Sequence, residues 1–251
     1  MAFESTIRFK DILLVSSEYP ELKQGVIVDT SILFAASYPA DEFNTEAEEL
    51  FDYFGELEIA AYTNINIRAE FIDLHRRVMI PEGLSDLYTQ NGKSLDVVLY
   101  KKLQSVYTAL SESRKSGKPY KFDENQIKSW RSFLKSNYGN NSIDGWLSFC
   151  KDFLLGKIEN LWHSACDEFG INFLTLRGSD NKNWIHGDLT WEDMTTLVGQ
   201  FGIGSFDAMI INLFLNSKFS ALVTADKDIA YVISSLKPKD KFVIVPDKLR
   251  I

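Results

Sequence analysis

Cysteine and histidine are scarce in this chain, with two Cys and three His among 251 residues. Cys150 and Cys166 form no CxxC pair and no Cys/His metal spacing, which fits a reducing compartment. His75, His163 and His186 are far apart, with no HxH or HExxH, so each reads as a surface or packing residue. GxxxxGK[ST] and GxSxG are missing, and Gly202-Ile203-Gly204 lacks the third Gly of a dinucleotide motif. No apolar run is long enough to span a bilayer; Met209–Leu215 is broken by Asn212. The start, Met-Ala-Phe-Glu-Ser, has no basic residue leading into an apolar stretch, so no signal peptide is read there. A cytoplasmic protein without membrane contact is expected.

What is present is a globular composition, 45% hydrophobic and 25% charged. Such a chain can build a core without disulfides, as one large domain or a domain with an insertion. The net charge of −8 argues, taken alone, against nucleic acid. Its distribution is uneven. Residues 100–135 hold nine Lys/Arg against three acids, a local balance of +6. Tyr100, Tyr107, Tyr120, Phe122, Trp130 and Tyr138 lie among them. The plain reading is a solvated helical face over the segment's own aromatic core. Lys101, Lys102, Lys115, Lys118 and Lys121 are the better candidates for nucleic-acid backbone contacts.

Residues 25–29 read as a short buried strand, 42–54 as a helix and 57–62 as a second strand. Residues 64–79 read as a helix with Ile67, Phe71, Leu74 and Val78 on one stripe, broken by Pro81 and Gly83. Residues 84–165 are helical, aromatic-rich and punctuated at Gly117 and Gly139-Asn140-Asn141. Strands follow at 170–176, 219–224 and 242–246, with helices from Thr190 to about Phe201, over 205–217 and over 227–236. The alternation predicts an α/β fold, a mainly parallel sheet covered on both faces. Its sites belong at the carboxyl ends of the strands.

Four acids are expected at that rim. Asp29 ends Val26-Ile27-Val28, and Asp226 ends Leu222-Val223-Thr224-Ala225. Glu70 borders the apolar stripe of its helix, and Asp207 sits in the first turn opened by Ser205, read as the N-cap. Each has an ordinary alternative role: capping for Asp29, Asp207 and Asp226, and an ion pair with Arg68, Arg76 or Arg77 for Glu70. Asp73 shares the face of Glu70 and reads as solvated. Carboxylates gathered together repel, and a hard divalent cation is the natural counter-charge.

The set resembles the PIN-domain family of metal-dependent nucleases. The resemblance rests on the strand ending in Asp29-Thr30-Ser31, on Glu70, on Gly204-Ser205-Phe206-Asp207-Ala208, and on Leu222-Val223-Thr224-Ala225-Asp226. It covers roughly residues 24–79 and 168–250 of a single domain, with 84–165 as a helical insertion. It implies a PIN-like three-layer α/β/α fold. It also implies Mg²⁺ or Mn²⁺ held by Asp29, Glu70, Asp207 and Asp226, with Asp228 as accessory. Thr30, Ser31, Ser205 and Thr224 would orient these acids. The implied reaction is hydrolysis of a phosphodiester, with RNA as the expected substrate and a 5′-phosphate product. A non-catalytic RNA-binding or scaffold role remains open, as do an antitoxin-like partner of a toxin and self-association. A phosphatase using Asp29 as nucleophile is disfavoured, because the second Asp it needs two residues later is Ser31.

Overall fold

The structure, a computed structural model, describes residues 6–91, 95–139, 144–175, 181–187 and 189–250. In chain order its elements begin with β1 (Thr6–Arg8), α1 (Ile12–Glu18), β2 (Val26–Val28), α2 (Thr30–Ser37), α3 (Asn44–Glu56) and β3 (Ala61–Asn64). Next come α4 (Ile65–Asn91), α5 (Val97–Ser116), α6 (Glu124–Asn137), α7 (Gly145–Phe153) and α8 (Leu155–Phe169). The chain then forms β4 (Ile171–Leu174), α9 (Asn181–Trp184), α10 (Trp191–Phe201), α11 (Ser205–Leu215), β5 (Ala221–Val223), α12 (Lys227–Leu236) and β6 (Phe242–Val245).

The fold is α/β. Six strands form one sheet in the order β1-β6-β5-β2-β3-β4, and every pairing among them is parallel. The strands β2, β5 and β6 are the uninterrupted apolar runs VIV, ALV and FVIV, and all of their residues are buried. Burial on both faces is what a parallel sheet demands. The register sets Ile27 beside Leu222, and Asp29 N–H continues the ladder to Val223 O at 2.9 Å. From β2 the chain moves outward to β3 and β4; β5 pairs on the other side of β2 and leads to β6. The order therefore reverses between β2 and β5, and the carboxyl ends of these neighbours frame the crevice where such sheets bind ligands.

Several expectations shift. The second strand is Ala61–Asn64, not 57–62, because α3 runs on to Glu56 and Glu58 turns the chain at φ 55°. The edge strand β1 was not anticipated. The helix expected to stop before Pro81 continues to Asn91. Proline removes one backbone donor, leaving the carbonyl four residues earlier without its helical partner. Here Arg77 O instead accepts Phe122 N–H at 3.0 Å. Gly83 is a close-packing position: a Cβ there would lie 2.9 Å from Phe153 Cβ. The strand expected over 170–176 is Ile171–Leu174; Leu176, like Asn140 and Asn141, lies outside the described residues.

The chain divides into two compact units: Met1–Pro39, Phe43–Phe71 and Ala165–Ile251 in one, Ala40–Glu42 and Ile72–Ser164 in the other. The first contains the sheet. The second is helical around Leu99, Leu103, Phe122, Trp130, Leu134 and Phe149. Tyr120 and Tyr138 pack against that cluster and Tyr100 tilts onto Tyr88, so most of the aromatics in the basic segment serve as core. Among the described residues no single helix is long and apolar enough to cross a membrane.

Candidate active site

Asp29 is the residue at which β2 becomes α2. Its extended backbone (φ −75°, ψ 159°) closes the strand, and its side chain caps the helix. Oδ1 accepts Thr30 N–H at 2.7 Å; Oδ2 accepts Ser31 Oγ at 2.6 Å and Thr224 Oγ1 at 2.8 Å. The residue is 3% exposed. Burial raises its pKa, the bonds from Ser31 and Thr224 oppose the rise, and the charge of Asp226 adds to it.

Asp226 occupies the equivalent place after β5 and caps α12, its Oδ1 accepting Asp228 N–H at 2.7 Å and Ile229 N–H at 3.2 Å. Its own N–H donates to Thr224 Oγ1 at 2.9 Å, and Ala225 N–H donates to Ser31 Oγ at 2.9 Å. The hydroxyls of Ser31 and Thr224 thus tie the two strand ends together. Asp228 is exposed in the first turn of α12.

Glu70 comes from α4. The buried Asn64, at the end of β3, accepts the N–H groups of Asn66 and Ile67 at 3.0 Å each and so fixes where that helix starts. One turn on, Glu70 Oε2 accepts Thr30 Oγ1 at 2.7 Å. Arg76 and Arg77, considered as partners for Glu70, instead pair with Asp73. Asp73 is therefore ion-paired, where a solvated carboxylate was expected. Asn64 is the site residue that reading the sequence missed; its signal is an Asn between an apolar strand and a helical stripe.

Asp207 supplies the most informative electrostatics. It lies in the first turn of α11, and its carboxyl is pushed up to about 7. Burial is the largest cause, followed by the charges of Asp226, Asp29, Glu70 and Asp228. The acids read separately from the sequence thus act on one another in one place. Ser205 is not the cap: Gly204 holds that position, and the exposed Ser205 makes no hydrogen bond to these acids. Gly204 leaves room for the carboxylate, since a Cβ there would stand 3.0 Å from Asp207 Oδ2. Phe206, 50% exposed, lies beside Asp207 in the chain.

The five lysines belong to the helical unit. Lys102 Nζ lies 4.7 Å from the Trp130 ring centre and 3.9 Å from that of Phe133, and burial lowers its pKa. Its stem and ammonium therefore pack over aromatic rings of the helical unit. Lys101, Lys115, Lys118 and Lys121 are exposed.

Among the described residues, no group of three or more Asp, Glu, His or Cys side chains is arranged to grip one metal ion. The donors are nonetheless all hard oxygens, and their mutual repulsion at Asp207 is what a cation would relieve. That chemistry fits a divalent ion which keeps much of its water and takes few direct carboxylates. Comparison with models of protein families, with curated proteins and with solved structures found no match.

Proposed function

We propose that the chain is a PIN-like, divalent-metal-dependent nuclease that hydrolyses phosphodiester bonds, with RNA as the expected substrate. The observation that supports this reading is the meeting of acids at the sheet's switch point: one hydroxyl, that of Thr224, bonds Asp29 and the amide of Asp226, Thr30 beside Asp29 bonds Glu70, and burial and the charges of all three acids raise the carboxyl of Asp207.

Asp29, Glu70, Asp207 and Asp226 would hold Mg²⁺ or Mn²⁺, with Asp228 at the rim. A bound cation of this kind lowers the pKa of an attacking water and stabilises charge on the phosphate. The chain supplies placement. Three hydrogen bonds fix Asp29, and Thr30 fixes Glu70. Asp207, its carboxyl pushed up to about 7, would give up its proton on binding a cation. Phe206 offers an exposed ring on which an unpaired base can stack. A phosphatase using Asp29 as nucleophile is disfavoured because both its oxygens already accept hydrogen bonds and the residue is buried.

A second reading, a non-catalytic RNA-binding or scaffold protein, is favoured by one observation: no three of the described acids are arranged around one ion. The test is cleavage of single-stranded RNA and DNA in Mg²⁺ or Mn²⁺, with Asp29→Asn and Asp226→Asn as controls. Cleavage that requires the metal and disappears in both variants is expected. RNA binding without cleavage would select the second reading, and cleavage indifferent to chelator would sink the first.

A further inference from the structure

The helical unit differs from the sheet unit in charge. It holds fourteen Lys/Arg and twelve Asp/Glu, where the sheet unit holds thirteen and twenty-three. The surplus is concentrated on α5, which has Lys101, Lys102, Arg114 and Lys115 against Glu112 alone. Helical spacing sorts these residues. Tyr100, Tyr107 and Arg114 recur every seventh position, and so do Lys101, Thr108 and Lys115, so two adjoining rows share one face of the helix. The buried Leu99, Leu103, Val106 and Leu110 fall on the other face. Lys102 turns instead to the rings of Trp130 and Phe133 on α6.

The two rows differ in chemistry. Tyr88 of α4 meets both Tyr100 and Tyr107, with ring centres 5.2 Å away in each case, and its hydroxyl lies 3.1 Å from that of Tyr100. This ladder of rings is anchored to the helical core through Tyr88 and open to solvent at Tyr107, which is 40% exposed. The cations beside it are uncommitted. Lys101 and Lys115 are exposed and make no salt bridge among the described residues. Arg114 comes no nearer than 3.9 Å to Glu82 and is itself 60% exposed, a pair that contributes little. Rings held by packing thus adjoin cations without an internal partner. A protein surface is the poorer complement, because lysine is depleted where proteins meet. Stacking on aromatic rings beside a cationic track is how unpaired strands are held.

From this complementarity we infer that the α4–α5 face binds single-stranded nucleic acid, with bases on Tyr100 and Tyr107 and phosphates on Lys101, Arg114 and Lys115. Seven residues of helix set the two rings about 10 Å apart along the axis, so each serves a different base. The inference gives the proposed nuclease, or its RNA-binding alternative, a surface for the strand. It shares only the class of ligand with those readings and does not depend on the acids, so it is tested with chelator present.

The probe is a fluorescent twelve-nucleotide RNA without self-complementarity, titrated into the full chain at low salt and followed by anisotropy. Its duplex and an alternating Glu/Leu peptide serve as competitors. Lys101→Glu/Lys115→Glu reverses the face; Lys128→Glu/Lys151→Glu makes the same change in net charge on exposed residues of α6 and α7. The strand should bind, both competitors should displace it at least about tenfold less well than unlabelled strand, and the Lys101/Lys115 variant should weaken binding at least about tenfold. The Lys128/Lys151 variant should leave it within about twofold. Tyr107→Ala should weaken binding about fivefold or more, and Tyr107→Phe, which keeps the ring, should restore it. Equal loss in both lysine variants, no loss in Tyr107→Ala, or no binding by the parent overturns the inference. So does displacement by the duplex or the peptide as effective as by the strand, since the occupant would then be paired nucleic acid or an acidic protein segment. Metal-dependent cleavage by a chain whose strand binding ignores Lys101 and Lys115 would leave the nuclease reading standing and remove this one.

Discussion

Thr224 Oγ1 donates to Asp29 Oδ2 at 2.8 Å while accepting Asp226 N–H at 2.9 Å, so one hydroxyl serves the acids of both central strand ends. Thr224→Val keeps the shape and removes both functions. The buried Asp29 then loses a donor, and a destabilisation of roughly 1–3 kcal/mol is expected. Urea denaturation measures it, and Thr224→Ser should recover most of the loss.

The carboxyl of Asp207 gives a pH signature. Its folded pKa is about 7 against an ordinary 3.8, so between these values the folded chain keeps a proton that the unfolded chain has released. The stabilising contribution is full below the lower value and is lost as pH rises through about 7. With chelator present, the melting temperature should fall from pH 5 to pH 8, and Asp207→Asn should flatten that fall. Asp207 is partly exposed, so screening keeps the effect below what the full shift implies. Mn²⁺ should raise the melting temperature more at pH 8 than at pH 5, because it competes with the proton. Calorimetry across this range with no Asp207-dependent slope would contradict the electrostatic picture.

Gly83→Ala tests the packing of the helical unit. The added methyl would stand 2.9 Å from Phe153 Cβ and 3.1 Å from Phe149 Cζ. Overpacking of this kind costs about 1–3 kcal/mol. The gain in helix propensity recovers less than that, so the variant should unfold at lower urea concentration.

Lys241 closes the far end of the helix that carries Asp207. Its ammonium donates to the carbonyls of Phe214, Ser217 and Phe219 at 2.7–2.9 Å. Lys241→Met leaves those oxygens without their donor and removes a cation from a helix C-terminus. A loss of about 2 kcal/mol or more is expected from chemical denaturation.

The central sheet was legible because Val26–Val28, Ala221–Val223 and Phe242–Val245 are short apolar runs, each followed by a polar residue or proline. The acids were legible for a related reason: a carboxylate just past a buried strand has few places to go. Other features depended on contacts that sequence spacing does not encode. Pro81 reads as a stop unless the donor from Phe122, 41 positions later, is known. Ser205 looked a better cap than Gly204, yet the crowding at Asp207 Oδ2 favours a residue without a side chain. The placement of the Lys102 ammonium over Trp130 and Phe133 likewise joins residues about thirty positions apart.

The strands that end at Asp29 and Asp226 are interior strands, each paired on both sides. The amides of Asp29 and Thr224 are bonded into those pairings, to Val223 O and Ile244 O. Local fraying at a sheet edge therefore leaves the acidic centre intact, and these amides should exchange with deuterium only when the whole sheet unit opens. Any ligand that stabilises the centre will slow exchange through the entire sheet.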